Sequence, residues 1–237
     1  MKGKKGQVFE VMIVVITLVV CGYAVSAFFE RTASGETLSS PAVLREIYAE
    51  SKSLEYYLED YANLAGQSAY AKMAEKPAYG PSCGVGEYAF WDSSCPDENF
   101  LREIFKNEVK ASITKNYNAN LEYSGNNLIV RYDNITLERR GKNYYANYTI
   151  KPEFEIAYNV DFRQIADASL AKKAECENKY GKDMIKVRAC LSEISFDKWN
   201  AIVSASSTYY AFNLTSKNYY FYNNSFKPIE LKFALKQ

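Results

Sequence analysis

The sequence predicts an α+β fold: an N-terminal transmembrane helix, then helices packed on an antiparallel sheet with a helical hairpin insertion. Three observations lead there. An uncharged apolar run stands near the N-terminus, two long stretches repeat their apolar residues at three- and four-residue steps, and beyond residue 120 the repeat shortens to two. Helices and strands in separate runs, without strict alternation, point to helices gathered on one face of an antiparallel sheet.

The N-terminal run, Val11 to Phe29, holds 19 residues without a charge. As a helix it measures roughly 28 Å, close to the hydrocarbon thickness of a bilayer. Lys2, Lys4 and Lys5 precede it, whereas Arg31 after it is offset by Glu30. The positive-inside rule therefore expects a cytoplasmic N-terminus and everything after the run outside the cell membrane. The expected organisation is a leader over residues 1–6, a transmembrane helix over 7–30, a linker over 31–40 and an extracytoplasmic domain over 41–237. A secretory signal cut at Ala24-Val25-Ser26 or Val25-Ser26-Ala27 competes with this, although the run is long for such a signal. A lipoprotein would need a small residue where Val20 precedes Cys21. An uncleaved single-pass anchor stays open.

The segment Lys4-Lys5-Gly6-Gln7-Val8-Phe9-Glu10, directly before the apolar run, resembles the start of archaeal type IV pilin-like precursors with class III signal peptides. The resemblance covers only the N-terminal run and its leader. It implies cleavage between Gly6 and Gln7 by a prepilin-type peptidase, with the apolar helix kept on the mature protein. It further implies that Glu10 neutralises a neighbouring subunit's amino terminus during assembly, so that copies of the chain or other pilins become partners. Cutting before Gln7 makes Glu10 the fourth mature residue, where the family usually places glutamate fifth.

Ser40-Pro41 offers an N-cap followed by proline at the first helical position. Leu44, Ile47, Tyr48, Leu54, Tyr57, Leu58, Tyr61, Leu64 and Ala65 then mark the apolar face of a long helix ending near Lys76-Pro77. A Gly/Pro/Ser loop follows from Pro77 to Pro96 and carries Tyr88, Phe90 and Trp91. A second helix is expected from about Pro96 to Tyr117, with Phe100, Leu101, Ile104, Phe105, Val109, Ile113 and Tyr117 on one side. Strands around Leu121–Tyr123, Leu128–Tyr132, Ile135–Glu138, Tyr144–Ile150 and Phe154–Val160 read as an antiparallel meander, with turns at Gly125-Asn126-Asn127 and Gly141-Lys142-Asn143. Phe162–Tyr180 and Lys182–Ile194 form the helical hairpin, Gly181 between them. Two strands, Ala201–Leu214 and Tyr219–Leu235, close the chain around Thr215-Ser216-Lys217-Asn218.

Four cysteines lie beyond the apolar run, and in an extracellular setting an even number reads as disulfides. Three pairings are open to four cysteines. The local one, Cys83 with Cys95 and Cys176 with Cys190, is favoured because each pair brackets its own turn. Closing loops of that size contributes roughly 3 kcal/mol each by the chain-entropy argument. A zinc site would need a close Cys-x-x-Cys spacing, which is missing.

Composition narrows function. The 237 residues include no histidine, which removes Ser/His/Asp and Cys/His nucleophile pairs and imidazole metal ligands. A net charge of +1 gives no basic footprint for nucleic acid, and no cofactor motif is present. Asn-x-Ser/Thr sequons at Asn134, Asn147, Asn213 and Asn223 make a glycoprotein plausible chemistry for an outside location. Tyrosine and asparagine crowd Tyr209–Asn213 and Tyr219–Asn224; this suits either an adhesive or sugar-binding face or simply a half-buried sheet. Glu153 and Glu155 alternate on one strand face and read as solvated. The resulting expectation is a non-enzymatic, surface-anchored, pilin-like structural or adhesive protein. The alternative is a non-assembling single-pass membrane protein whose ectodomain binds a partner or glycan.

Overall fold

The structure, a computed structural model, describes residues 41–76, 83, 88–114, 117–141 and 144–237. Gly6, Gln7, Glu10 and the apolar run with its transmembrane reading lie outside the described residues. Helices and mostly antiparallel sheets make the fold α+β. The chain divides into two compact units, one containing residues 41–55 with 134–150, the other residues 56–133 with 151–237.

Helix α1 runs from Pro41 to Glu75 and contributes to both units. Its buried stripe is Ile47, Ser51, Leu58, Ala62, Ala65, Ala69 and Met73. This corrects the expected apolar face: Leu44, Tyr48 and Tyr57 are exposed, at 49%, 52% and 53%. Small residues take the inner stripe because they let the helix backbone come close to its neighbours, whereas tyrosine can leave its polar tip in water.

In the first unit, strands β4 (Ile135–Gly141) and β5 (Tyr144–Ile150) form a hairpin with Thr136 opposite Thr149 and Arg139 opposite Ala146. Arg139 reaches Glu50 of α1 at 2.5 Å, and the Tyr48 and Tyr148 rings meet edge to face at 6.1 Å. The ion pair is partly exposed and belongs to the class worth less than about 1 kcal/mol.

The second unit holds two larger sheets. In the first, β3 (Asn127–Tyr132) is central between β2 (Ala119–Ser124) and β6 (Glu153–Ala157). The expected meander is thereby corrected, since β6 pairs with β3 and leaves β4–β5 as an excursion from the sheet. The reason lies in the Leu128-Ile129-Val130 run, buried throughout, which makes β3 a strand that wants a partner on each edge. The amide of Tyr132 donates to the Pro152 carbonyl at 3.0 Å, closing the ladder where the excursion returns. Helix α2 (Glu98–Ile113), with Asp97 capping the Phe100 amide, presents Leu101, Phe105, Val109 and Ile113 inward. It is shorter than expected at both ends, because Asp97 caps it and Thr114 closes its last turn, and Phe100 points outward. Arg102 of α2 donates to the Gly125 carbonyl and to Asn126 Oδ1, both at 3.0 Å, gripping the β2–β3 turn. Gly125 has φ 60°, which a side chain would resist.

The other sheet has the order β1-β11-β8-β7, built from Ala89–Phe90, Glu230–Lys236, Tyr209–Ser216 and Trp199–Ala205. Only the β1–β11 pairing is parallel among its contacts. The two long terminal strands of the sequence reading are corrected to five. Ser206-Ser207-Thr208 breaks the first, and the second becomes β9 (Tyr220–Tyr222), β10 (Ser225–Lys227) and β11. Asn223 and Asn224, at φ 50° and 60°, supply the left-handed pair that a two-residue hairpin turn requires. Trp91 stacks on Phe233 at 4.0 Å and Phe233 on Phe212 at 4.8 Å, so the loop aromatics serve the core. Helices α3 (Phe162–Tyr180) and α4 (Met184–Leu191) form the expected hairpin, with α4 starting only after its Asp183 cap. The disulfides join Cys83 to Cys95 and Cys176 to Cys190.

Gly66 sets how near α1 lies to β6: a Cβ there would stand 2.7 Å from Ile156 Cγ2. Alanine in place of glycine inside a helix should gain up to about 1 kcal/mol in propensity, while overpacking costs about 1–3. Gly66→Ala is therefore expected to lower unfolding free energy by roughly 1 kcal/mol, and Ile156→Ala, which removes the opposing methyl, should abolish that increment. Denaturant titrations of the two single variants and the double variant measure it.

Candidate functional site

The second unit contains a cleft of about 500 Å³. Small-molecule sites commonly span roughly 300–1,000 Å³. Its base is apolar, made by Phe105, Ile156 and the bare backbone of Gly66. Tyr70 and Tyr220 form an aromatic wall, their ring centroids 5.1 Å apart and tilted by 45°. Around the mouth stand the amides of Asn63, Gln67, Asn159 and Asn218, with the ammonium of Lys198.

Each wall residue is held from behind. Asp161, at the start of α3, accepts from the Tyr70 hydroxyl at 2.7 Å and from Trp199 Nε1 at 3.1 Å. It makes no side-chain cap on its own helix, so its carboxylate joins α1 to β7 instead. Phe162 stacks against Tyr70 at 5.3 Å. Gln67 Oε1 accepts from the Phe221 amide at 3.1 Å, which anchors β9 and with it Tyr220. The Tyr222 hydroxyl donates to Glu75, and this bond, followed by burial, moves the phenol above its ordinary range. Burial, and then the nearby Asp161 charge, also push the Tyr220 phenol up, so it stays neutral.

Chemically, the described residues of the cleft offer donors and acceptors on planar amides, the Lys198 cation and the Tyr220 ring, and no carboxylate is among them. Among the described residues, Asn63, Asn159 and Lys198 make no side-chain hydrogen bond or ion pair within the protein. Such a lining suits binding of a hydroxyl-rich molecule better than acid–base chemistry. No protein family, curated protein or solved structure matches this chain.

Of the residues singled out from sequence, the four cysteines are brought together in the local pairing. Asn134, Asn147 and Asn223 are exposed, and Asn213 is half-buried on the central strand β8. The threonines of two sequons, Thr136 and Thr149, meet hydroxyl to hydroxyl at 2.9 Å across the β4–β5 hairpin. Glu153 pairs with Arg131 at 3.0 Å and Glu155 accepts from Asn127 at 2.7 Å, so neither enters the cleft. Sequence reasoning reached Tyr220 through the tyrosine and asparagine crowding and named Asn218 only as a turn residue. It missed Asn63, Gln67, Asn159 and Lys198, and the available signal was slight: Asn63 and Gln67 lie one helical turn apart on α1.

Replacing Gln67 tests how the wall is held. Gln67→Met keeps the shape but leaves the Phe221 amide without its acceptor, a cost of about 1–3 kcal/mol, whereas Gln67→Glu keeps an acceptor oxygen. Hydrogen exchange at Phe221 should accelerate at least about tenfold in the methionine variant and much less in the glutamate variant.

Proposed function

We propose that the chain is a surface-anchored, pilin-like protein, structural or adhesive in role and not an enzyme. The apolar run within residues 7–30 forms a transmembrane helix, the N-terminus faces the cytoplasm and residues 41–237 lie outside. The observation that carries this reading is the segment Lys4-Lys5-Gly6-Gln7-Val8-Phe9-Glu10 set directly against 19 uncharged residues. The disulfides support the outside placement, because such bonds persist mainly in oxidising compartments. Exposed sequons at Asn134, Asn147 and Asn223 are compatible with glycosylation there. In assembly, the apolar helices of several copies pack side by side, and Glu10 offsets the new amino terminus that cleavage before Gln7 creates. Removing residues 1–6 also changes the formal side-chain charge from +1 to −2, leaving a faintly acidic subunit.

The second reading is a membrane-anchored binding protein that does not assemble. What favours it is the cleft, whose aromatic wall and amide rim suit a ligand and have no evident part in a filament.

Mass spectrometry of the mature chain from membranes and from surface filaments separates the two. The pilin-like reading expects an N-terminus at Gln7 and recovery of the chain in filaments. It further expects Glu10→Gln to cut filament yield about tenfold or more while leaving membrane insertion unchanged, since an unpaired charge in the membrane is costly. An intact leader with the chain confined to the membrane as a monomer selects the binding-protein reading.

A further inference from the structure

The cleft of the second unit has no role in anchoring or assembly, and its chemistry is specific enough to name a class of ligand. A hydroxyl-rich ring presents apolar C–H faces and an edge of groups that each donate and accept. Tyr220, half-buried, offers its ring for a face, backed at 45° by Tyr70, which is itself buried and packed against both Tyr220 and Phe162. The amides at the mouth offer both hydrogen-bond roles for the edge. Gln67 has its oxygen occupied by Phe221, which leaves its NH2 as donor. Asn63 and Asn159, unbonded within the protein, supply further donors and acceptors.

Charge decides the class further. Among the described residues, Lys198 is the only charged side chain of the lining, and it has no carboxylate partner. Asp161 sits behind the Tyr70 hydroxyl and Trp199, with both its oxygens engaged. One cation facing planar amides and tyrosine rings matches a single carboxylate on a sugar. A di- or triphosphate would need several cations, and among the described residues only Lys198 supplies one. The chain has no histidine, and among the described residues no carboxylate lines the cleft, so the described lining provides for holding the sugar.

We propose that the cleft bounded by Tyr70, Tyr220, Asn63, Asn159 and Lys198 binds an acidic saccharide, with Lys198 receiving the uronate carboxylate and Tyr220 the ring face. This deepens the adhesive reading. It rests on the outward placement of residues 41–237 and is independent of cleavage or filament formation.

The test is calorimetric titration of the full chain in detergent with a glucuronic acid trisaccharide, its neutral glucose counterpart and adenosine monophosphate. The acidic trisaccharide should bind about tenfold more tightly than the neutral one, as one charge-assisted hydrogen bond provides, and the preference should shrink as salt rises. Tyr220→Ala should weaken both sugars by about tenfold or more. Lys198→Gln should bring the acidic sugar down to the affinity of the neutral one and leave the latter within about twofold. Lys232→Gln, an exposed change on β11, should alter nothing; circular dichroism checks that every variant is folded. Three results overturn the proposal: no sugar binding up to about 10 mM, binding indifferent to both Tyr220→Ala and Lys198→Gln, or tighter binding of the nucleotide than of either sugar. None of these bears on where the mature N-terminus lies, so failure here and failure of the pilin-like reading are distinguishable.

Discussion

The second unit depends on one carboxylate. Asp161 stands at the first turn of α3, where an aspartate ordinarily caps its own helix, and instead spends both oxygens on Tyr70 of α1 and Trp199 of β7. Hydrogen bonds to a charged group contribute about 1.5–3 kcal/mol each, compared with about 1 for a typical cap. The trade therefore favours the junction over the local cap. Both partners, Tyr70 and Trp199, are mostly buried. Phe162, the next residue, carries the junction into the core by stacking on Tyr70.

The cleft follows from this junction and from Gly66. The glycine lets α1 approach β6 and exposes backbone at the base of the cleft, while Asp161 fixes the Tyr70 ring that forms its wall. Gln67 repeats the device on the opposite side by holding β9 through the Phe221 amide. The aromatic wall is thus positioned by bonds that point away from the ligand space. A site preorganised in this manner spends little of its binding energy on ordering side chains.

Local pattern carried much of the fold in the sequence. The 3.6-residue period marked α1 and α2, Gly181 separated α3 from α4, and the cysteine spacing selected the local disulfides. Failures came where a tertiary demand overrode the local one. The period of α1 placed Tyr48 and Tyr57 inward, but close approach required alanine, serine and glycine at the interface. Connectivity suggested a meander, yet β3, buried through Leu128-Ile129-Val130, needed partners on both edges and took β6. Residues 219–235 looked continuous because aromatic and β-branched residues dominate them, and the Asn223-Asn224 turn was concealed in a tyrosine-rich run. The candidate site was the least legible part. Its polar residues come from α1, from the connection after β6, from the residue before β7 and from the turn after β8, and no spacing rule links them. Asp161 drew no attention in the sequence, and only its partners across the fold reveal its role.

The proposed anchoring and the proposed binding rest on separate parts of the chain. The first rests on the N-terminal segment, the second on a cleft organised from Asp161 outward. The most direct test of that organisation is a double-mutant cycle of Asp161→Ala with Trp199→Phe, read by denaturant unfolding of the full chain in detergent. A shared hydrogen bond to a buried indole predicts a coupling of about 1.5 kcal/mol or more between the two sites. Strict additivity, within about 0.5 kcal/mol, would contradict the account.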